Sequence, residues 1–168
     1  MIQDDAQTRE RLEAALHVSR WVSQVASGCP YPSVAALLDV ADLAARALSP
    51  AEVDEALASH PRIGSQGSGS TASLSRAEQA SSTTDDPALV AAMAAGNAAY
   101  EEQFGRIFLI RAAGRTRPEI LAELHRRLAL SPADEDREVA DQLREIALLR
   151  LRTLFGTPSS VSSPGERS

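Results

Sequence analysis

Three times ahead of the Ser- and Pro-rich tail a helix-capping residue stands directly before a proline: Ser49-Pro50, Asp86-Pro87 and Ser131-Pro132. The first turn of a helix has no use for the N–H that proline lacks, and the ring already holds a helical φ, so each pair reads as a helix start. Glu52, three residues after Ser49, completes a capping box. Behind these starts the apolar residues recur at helical spacing, from Asp86 to Phe104 and from Ser131 to Phe155. A further segment behind Ser33 places Leu37, Leu38, Ala41, Ala44, Ala45 and Leu48 on one broad face. The stretch from Arg9 to Ser27 reads as one helix, with Leu12, Leu16, Trp21, Val22 and Val25 inward and Gly28 closing it. Arg117 to Leu130 reads as another, carrying Ile120, Leu121, Leu124 and Leu128. Aromatic residues make up only 4% of the chain, so the core must be Leu, Val, Ile and much Ala, which favours closely packed helices. The expectation is an all-α, single-domain bundle of about six to eight helices without a proper sheet. One stretch departs from the pattern. "GRIFLIRAAG" is too short and too apolar for a surface helix, and it predicts an irregular buried segment near residues 105–114.

At 168 residues the chain has the size of one ordinary domain, expected over residues 8–155 after a flexible N-terminus of residues 1–7. The tail "GTPSSVSSPGERS", residues 156–168, has too little apolar area to order itself and is expected to be disordered. A formal charge of -6 with no basic stripe argues against a nucleic-acid partner. No apolar run approaches the roughly 20 residues that cross a bilayer, and the acidic, polar start is unlike a secretory signal. A cytoplasmic location is the resulting expectation. A single cysteine, Cys29, rules out an intrachain disulfide and a thiolate cluster. The three histidines, His17, His60 and His125, lack metal-ligand spacing, so no metal is expected. All 17 basic residues are arginines, which removes any lysine Schiff base, the internal aldimine of pyridoxal enzymes included.

Candidate chemistry centres on "SHPRIG", Ser59 to Gly64. A residue before proline is pushed out of the α region, so the helix begun at Ser49 should stop near Ser59. That leaves His60 at a helix C-terminus, where unpaired carbonyls favour the imidazolium and should raise its pKa. Gly64 and the following "SQGSGSTAS" allow a sharp turn and open space beside the ring. Taken alone, such a histidine is more often a helix cap than a catalyst. Farther on, Ser75 and Glu78 form a second capping-box pattern, with Gln79 beside them. A first turn built this way offers amides, a carboxylate and a carboxamide to a polar planar ligand.

Together "HPRIG", "SRAEQ", "GNAAYEEQFGRIFLIRAAGR" and "REIALLRLRTLF" resemble the family of 2-oxo-4-hydroxy-4-carboxy-5-ureidoimidazoline (OHCU) decarboxylases, from about the first helix to Phe155. The resemblance implies an all-helical, cofactor-free homodimer that converts OHCU to (S)-allantoin with loss of CO2 during urate breakdown. By position it implies His60 as the catalytic histidine, Pro61 as its neighbour at the substrate, and Glu78 and Arg150 as further catalytic residues. It implies substrate contacts from Ser75, Arg76, Ala77, Glu78 and Gln79, and from the backbone of Phe108, Leu109, Ile110, Arg111 and Ala112. Arg152 is the less favoured C-terminal arginine. Two positions depart from the family pattern: Leu74 stands where Trp is frequent, and Arg106-Ile107 interrupts a frequent F-G-F-P-F. The first removes an aromatic wall, and the second adds a charge beside the expected pocket.

Under this reading His60 transfers a proton, Arg150 orients an anionic oxygen, and Glu78 and Gln79 read ureido and ring N–H groups. Two other readings compete. One is a helical binding or regulatory module, in which these side chains face separate patches of solvent. The other is a related enzyme acting on another ureido acid, for which Leu74 and Arg106 are the grounds. His17 and His125 are expected to be structural or exposed, with Arg126 and Arg127 marking a solvated face or dimer rim. Cys29 is expected to pack in a loop, and Trp21 in the core or a subunit interface.

Overall fold

The computed structural model describes residues 1–63 and 72–156, with backbone alone at Ala72. Gly64 to Thr71 of the glycine-rich loop and the tail 157–168 lie outside the described residues, and with them the expectations placed there. Eight α-helices are present among the described residues: α1 (Ala6–Ala15), α2 (Ser19–Ser27), α3 (Val34–Ala45), α4 (Pro50–Leu57), α5 (Ala72–Gln79), α6 (Pro87–Phe104), α7 (Arg117–Leu128) and α8 (Pro132–Phe155). A 3-10 turn, Ala80–Ser82, follows α5.

The proline-marked starts behave as their chemistry requires. Ser49 accepts from the Glu52 N–H while Glu52 reaches back to Ser49; Asp86 caps α6 and Ser131 caps α8. A fourth such start, the Thr116–Glu119 capping box with Pro118, opens α7. Each side-chain cap is worth about 1 kcal/mol.

The single helix expected from Arg9 to Ser27 is two. Leu16 and Val18 are extended (φ -150°, ψ 110° and φ -133°, ψ 112°), and both are buried. Extending the chain there turns α2 away from α1, so Leu16, Val18 and Trp21 all reach one core. Residues 1–7 carry specific contacts: Ile2 and Tyr31 exchange backbone hydrogen bonds of 2.8 and 2.9 Å, and Asp5 caps α1.

The interior divides into two apolar clusters. The larger draws on α1 to α4 and one face of α8, with Trp21, Leu12, Leu37, Leu143 and Leu151 fully buried. The Trp21 indole N–H donates to the Ala41 carbonyl at 3.1 Å, so a large apolar ring enters without stranding its donor. The smaller cluster joins α6 and α7 around Tyr100, Phe108, Ile120 and Leu124. Gly96 permits that approach, because a Cβ there would lie 2.4 Å from Leu124 Cδ2.

Gly105, left-handed at φ 68°, ends α6 and turns the chain inward. The passage that follows is irregular, as its composition implied, with Phe108, Leu109, Ile110 and Ala112 all buried. Beneath it lies a polar centre that includes Arg127, expected on a solvated face or dimer rim. Arg127 is wholly buried, not on a solvated rim: its Nε donates to Glu135 at 3.0 and 3.1 Å, and its Nη1 donates to the Leu109 carbonyl. Tyr100 donates its hydroxyl to the same carboxylate, and burial together with Glu135 pushes the phenol pKa up to about 12. Phe108 meets the Tyr100 ring edge-on at 5.3 Å, with the Arg127 guanidinium 4.7 Å from its own ring centre. This network holds α6, α7, α8 and the irregular passage in one arrangement.

Candidate active site

α4 ends at Leu57, and the chain continues in turns, with the Ser59 and His60 N–H groups reaching back to the Ala56 and Leu57 carbonyls. The imidazole turns back as well, its Nδ1 lying 2.9 Å from the Ala56 carbonyl oxygen. A carbonyl only accepts, so Nδ1 carries the proton and Nε2 keeps a lone pair. Nε2 is shielded from solvent and has no hydrogen-bond partner among the described residues. The expected rise in pKa is overturned: burial, and then the nearby Arg150 charge, lower it to about 4 despite the opposing pull of the Ala56 carbonyl and Glu78. The helix-end carbonyls act only locally, whereas desolvation acts on the whole charged ring. At neutral pH this histidine is a neutral base.

Ser75 also differs from expectation. It is the fourth residue of α5 rather than its N-cap, and its buried hydroxyl meets Arg150 Nη2 at 3.2 Å. Glu78, one turn on, receives Arg150 through both carboxylate oxygens, Nε to Oε1 at 2.6 Å and Nη2 to Oε2 at 2.9 Å. Such a two-point pairing fixes orientation as well as charge. Arg150 Nη1 reaches the Ala14 carbonyl at 3.3 Å. The guanidinium can enter the interior because Arg150 continues the buried stripe of α8 through Val139, Leu143, Ile146 and Ala147. Arg152, two residues farther round, is exposed.

These groups converge. A void of about 20 Å³ is walled by His60, Ser75, Glu78, Gln79 and Arg150, with Leu109, Ile110 and Ala112 of the irregular passage completing it. It holds about one water molecule. A far larger cavity, about 950 Å³, shares Pro61, Ile63, Ser75 and Gln79 with it and extends towards α6 and α7. The larger space has room for a substrate, and the titratable groups meet at the smaller one.

Other candidates fall elsewhere. Arg76 lines the large cavity, Ala77 is exposed and lies on neither wall, and Phe108 is sunk against Tyr100. Arg111 turns away, its N–H donating to Gln142 at 2.7 Å and its side chain to Glu145 at 2.9 Å. Arg106 does not charge the pocket, because it pairs with Asp136 at 2.6 Å near Tyr100, and Leu74 lies on neither wall. Asn97 and Arg117, both on the wall of the large cavity, were missed. A buried carboxamide in the alanine-rich "AAGNAAY" was the available signal for Asn97; Arg117 had none. Among the described residues no group of three His, Cys, Asp or Glu side chains is arranged to hold a metal ion.

Fold and site together define a helical protein with a shielded histidine beside a carboxylate–guanidinium pair whose arginine is buried. The chain matches the model of the OHCU decarboxylase family over residues 3–152, and it belongs to that family. It is 31% identical over 156 residues to the uric acid degradation bifunctional protein of Arabidopsis thaliana, an alignment covering 89% of this chain and 48% of that protein. The chain thus spans about half the length of this curated relative. Its fold is similar to that of an OHCU decarboxylase crystallised in the presence of (S)-allantoin, with a TM-score of 0.74, 23% identity, and coverage of 88% of this chain and 99% of that one. It is also similar to an (S)-allantoin synthase, with a TM-score of 0.63, 20% identity, and coverage of 89% and 50%.

Proposed function

We propose that this protein decarboxylates OHCU to (S)-allantoin, with His60 as the base. The observation that carries the reading is that His60 and the Glu78–Arg150 pair line one void, although residue 150 lies 72 positions from Glu78. Family membership supports the substrate.

The chemistry needs no imported electron sink. When the bond to the carboxylate breaks, its electron pair enters the ring as a carbon–carbon double bond, and the adjacent C=N pair moves onto nitrogen, which takes up a proton. The resulting enol loses its hydroxyl proton and gains a proton at the neighbouring ring carbon, so that one proton is consumed and CO2 and allantoin result. A neutral His60 takes the hydroxyl proton at Nε2 and can return it to one face of that carbon, which fixes the product's hand. Glu78, held in place by Arg150, offers a fixed carboxylate acceptor to the ureido and ring N–H groups, while Arg150 balances its charge.

The test is turnover of freshly generated OHCU, read by circular dichroism as allantoin of one hand. His60→Asn should fold normally and lose about 10²–10⁴-fold in rate, the usual worth of general acid–base help. Retention of rate and handedness would remove His60 from the reaction. Neither Leu74 nor Arg106 borders either cavity, which weakens the grounds for a changed substrate. We further propose a cytoplasmic homodimer, to be checked by light scattering. Among the described residues no helix is long and apolar enough to cross a membrane.

A further inference from the structure

The large cavity presents an electrostatic imbalance that the proton chemistry does not use. Arg150 is committed to Glu78, Ser75 and the Ala14 carbonyl, so it has little left for an incoming carboxylate. Arg62, on the cavity wall, is paired with Glu101 at 2.6 Å. Arg117 and Arg76 are different: both line the cavity, and neither makes an ion pair or side-chain hydrogen bond with a described residue. Arg117 is half-buried, and its Nε is shielded from solvent without a partner among the described residues. Burial without a compensating carboxylate lowers its pKa from the ordinary guanidinium value. Asp85, the one carboxylate among the described lining residues, is exposed and pairs with neither arginine. In a chain of formal charge -6, this wall is locally positive.

A second, independent feature lies on the same wall. Asn97 is only 5% exposed; its Nδ2 donates to the Ile63 carbonyl at 3.2 Å, and its Oδ1 is buried with no partner among the described residues. The Ile63 carbonyl can only accept, so the amide cannot be flipped without setting two oxygens against each other. The orphan is therefore an acceptor. Buried acceptors without partners are costly, and a ligand N–H relieves that cost.

We propose that the large cavity is an anion-selective antechamber, in which Arg117, aided by Arg76, binds the carboxylate of an incoming ureido acid while Asn97 Oδ1 accepts from one of its N–H groups. The identity of the ureido acid rests on the decarboxylase reading; the anion site itself does not. From here the ligand has a short path to His60, because Pro61, Ile63, Ser75 and Gln79 belong to both spaces. Holding the carboxylate at the arginines during capture and releasing it at the Glu78 end suits a reaction that must expel that group.

The test uses two probes on the full chain, measured by calorimetry: allantoate, a ureido carboxylate, and allantoin, its uncharged relative. Arg117→Gln should weaken allantoate binding roughly tenfold, as loss of a charge-assisted hydrogen bond does, and leave allantoin binding unchanged. Arg117→Lys should restore part of the loss, because the charge returns without the fork. In turnover, Arg117→Gln should raise KM for OHCU by a similar factor with kcat changed less than about twofold, and should flatten the fall of kcat/KM with salt. Equal weakening of both probes, an unchanged allantoate affinity, or no allantoate binding by the wild type would each overturn the antechamber. Should the wild type bind allantoate through Arg117 yet fail to turn over OHCU, the decarboxylase reading falls and the anion site stands.

Discussion

His60 shows how a residue's role follows from two opposing local fields. The carbonyls at the end of α4 favour its proton, while burial and the Arg150 charge disfavour it, and the second pair prevails. Because the folded pKa is depressed to about 4 from an ordinary 6.5, the neutral ring is the form the fold prefers. As pH falls below about 6.5 the unfolded chain takes up a proton at this residue that the folded chain refuses, so stability declines towards pH 4 and then levels. Activity should follow the same group: kcat/KM should hold steady from neutral pH down to about 5 and fall with a midpoint near 4. A midpoint near 6.5 would mean that the free ring is far better solvated than this geometry implies. Glu78→Gln offers a companion measurement. It keeps the side chain's shape but leaves the Arg150 charge uncompensated, and because Glu78 raises the His60 pKa, the midpoint should move lower still.

At the level of elements, the active-site wall is held from behind. Arg127 of α7 grips both Glu135 of α8 and the Leu109 carbonyl, and so sets the height at which Leu109, Ile110 and Ala112 border the His60 void. Removing one partner from a fully buried pair leaves an uncompensated charge, so Arg127→Met alone should cost about 3–5 kcal/mol by urea denaturation. The double change Arg127→Met with Glu135→Leu should cost less than either single change, because no charge is then stranded. Additive losses would show that the pair is not coupled as its geometry indicates. The capped starts carry less: Ser131→Ala should lose about 1 kcal/mol and leave turnover untouched.

Across the whole molecule, Phe155 and Leu151 close the larger core at the end of α8, so Leu151→Ala at this fully buried position should cost about 2–5 kcal/mol by urea denaturation. A loss below about 1 kcal/mol would show that the core there collapses around the gap. Much of this architecture was legible beforehand. Proline-led caps and the spacing of Leu and Ala report on a few neighbouring residues, so all-helical class, most helix starts and the irregular passage at 105–114 could be read directly. The break at Leu16–Val18 could not, because local propensity allows an unbroken helix and only the shared core requires two. The same limit applied to Ser75: its capping pattern is satisfied on paper by its own helix, yet its hydroxyl goes to Arg150. The pairing of positions 60, 78 and 150 came from likeness to a family, never from spacing. The sequence by itself therefore determined helix identity, the absence of lysine chemistry and a histidine held outside a helix, since these depend on residue type and near neighbours. Tertiary structure alone decided that His60 is neutral, that Arg127 is interior and that Arg117 lacks a carboxylate partner among the described residues. Desolvation and charge pairing depend on what the fold brings within a few ångströms, and that distance is not written along the chain.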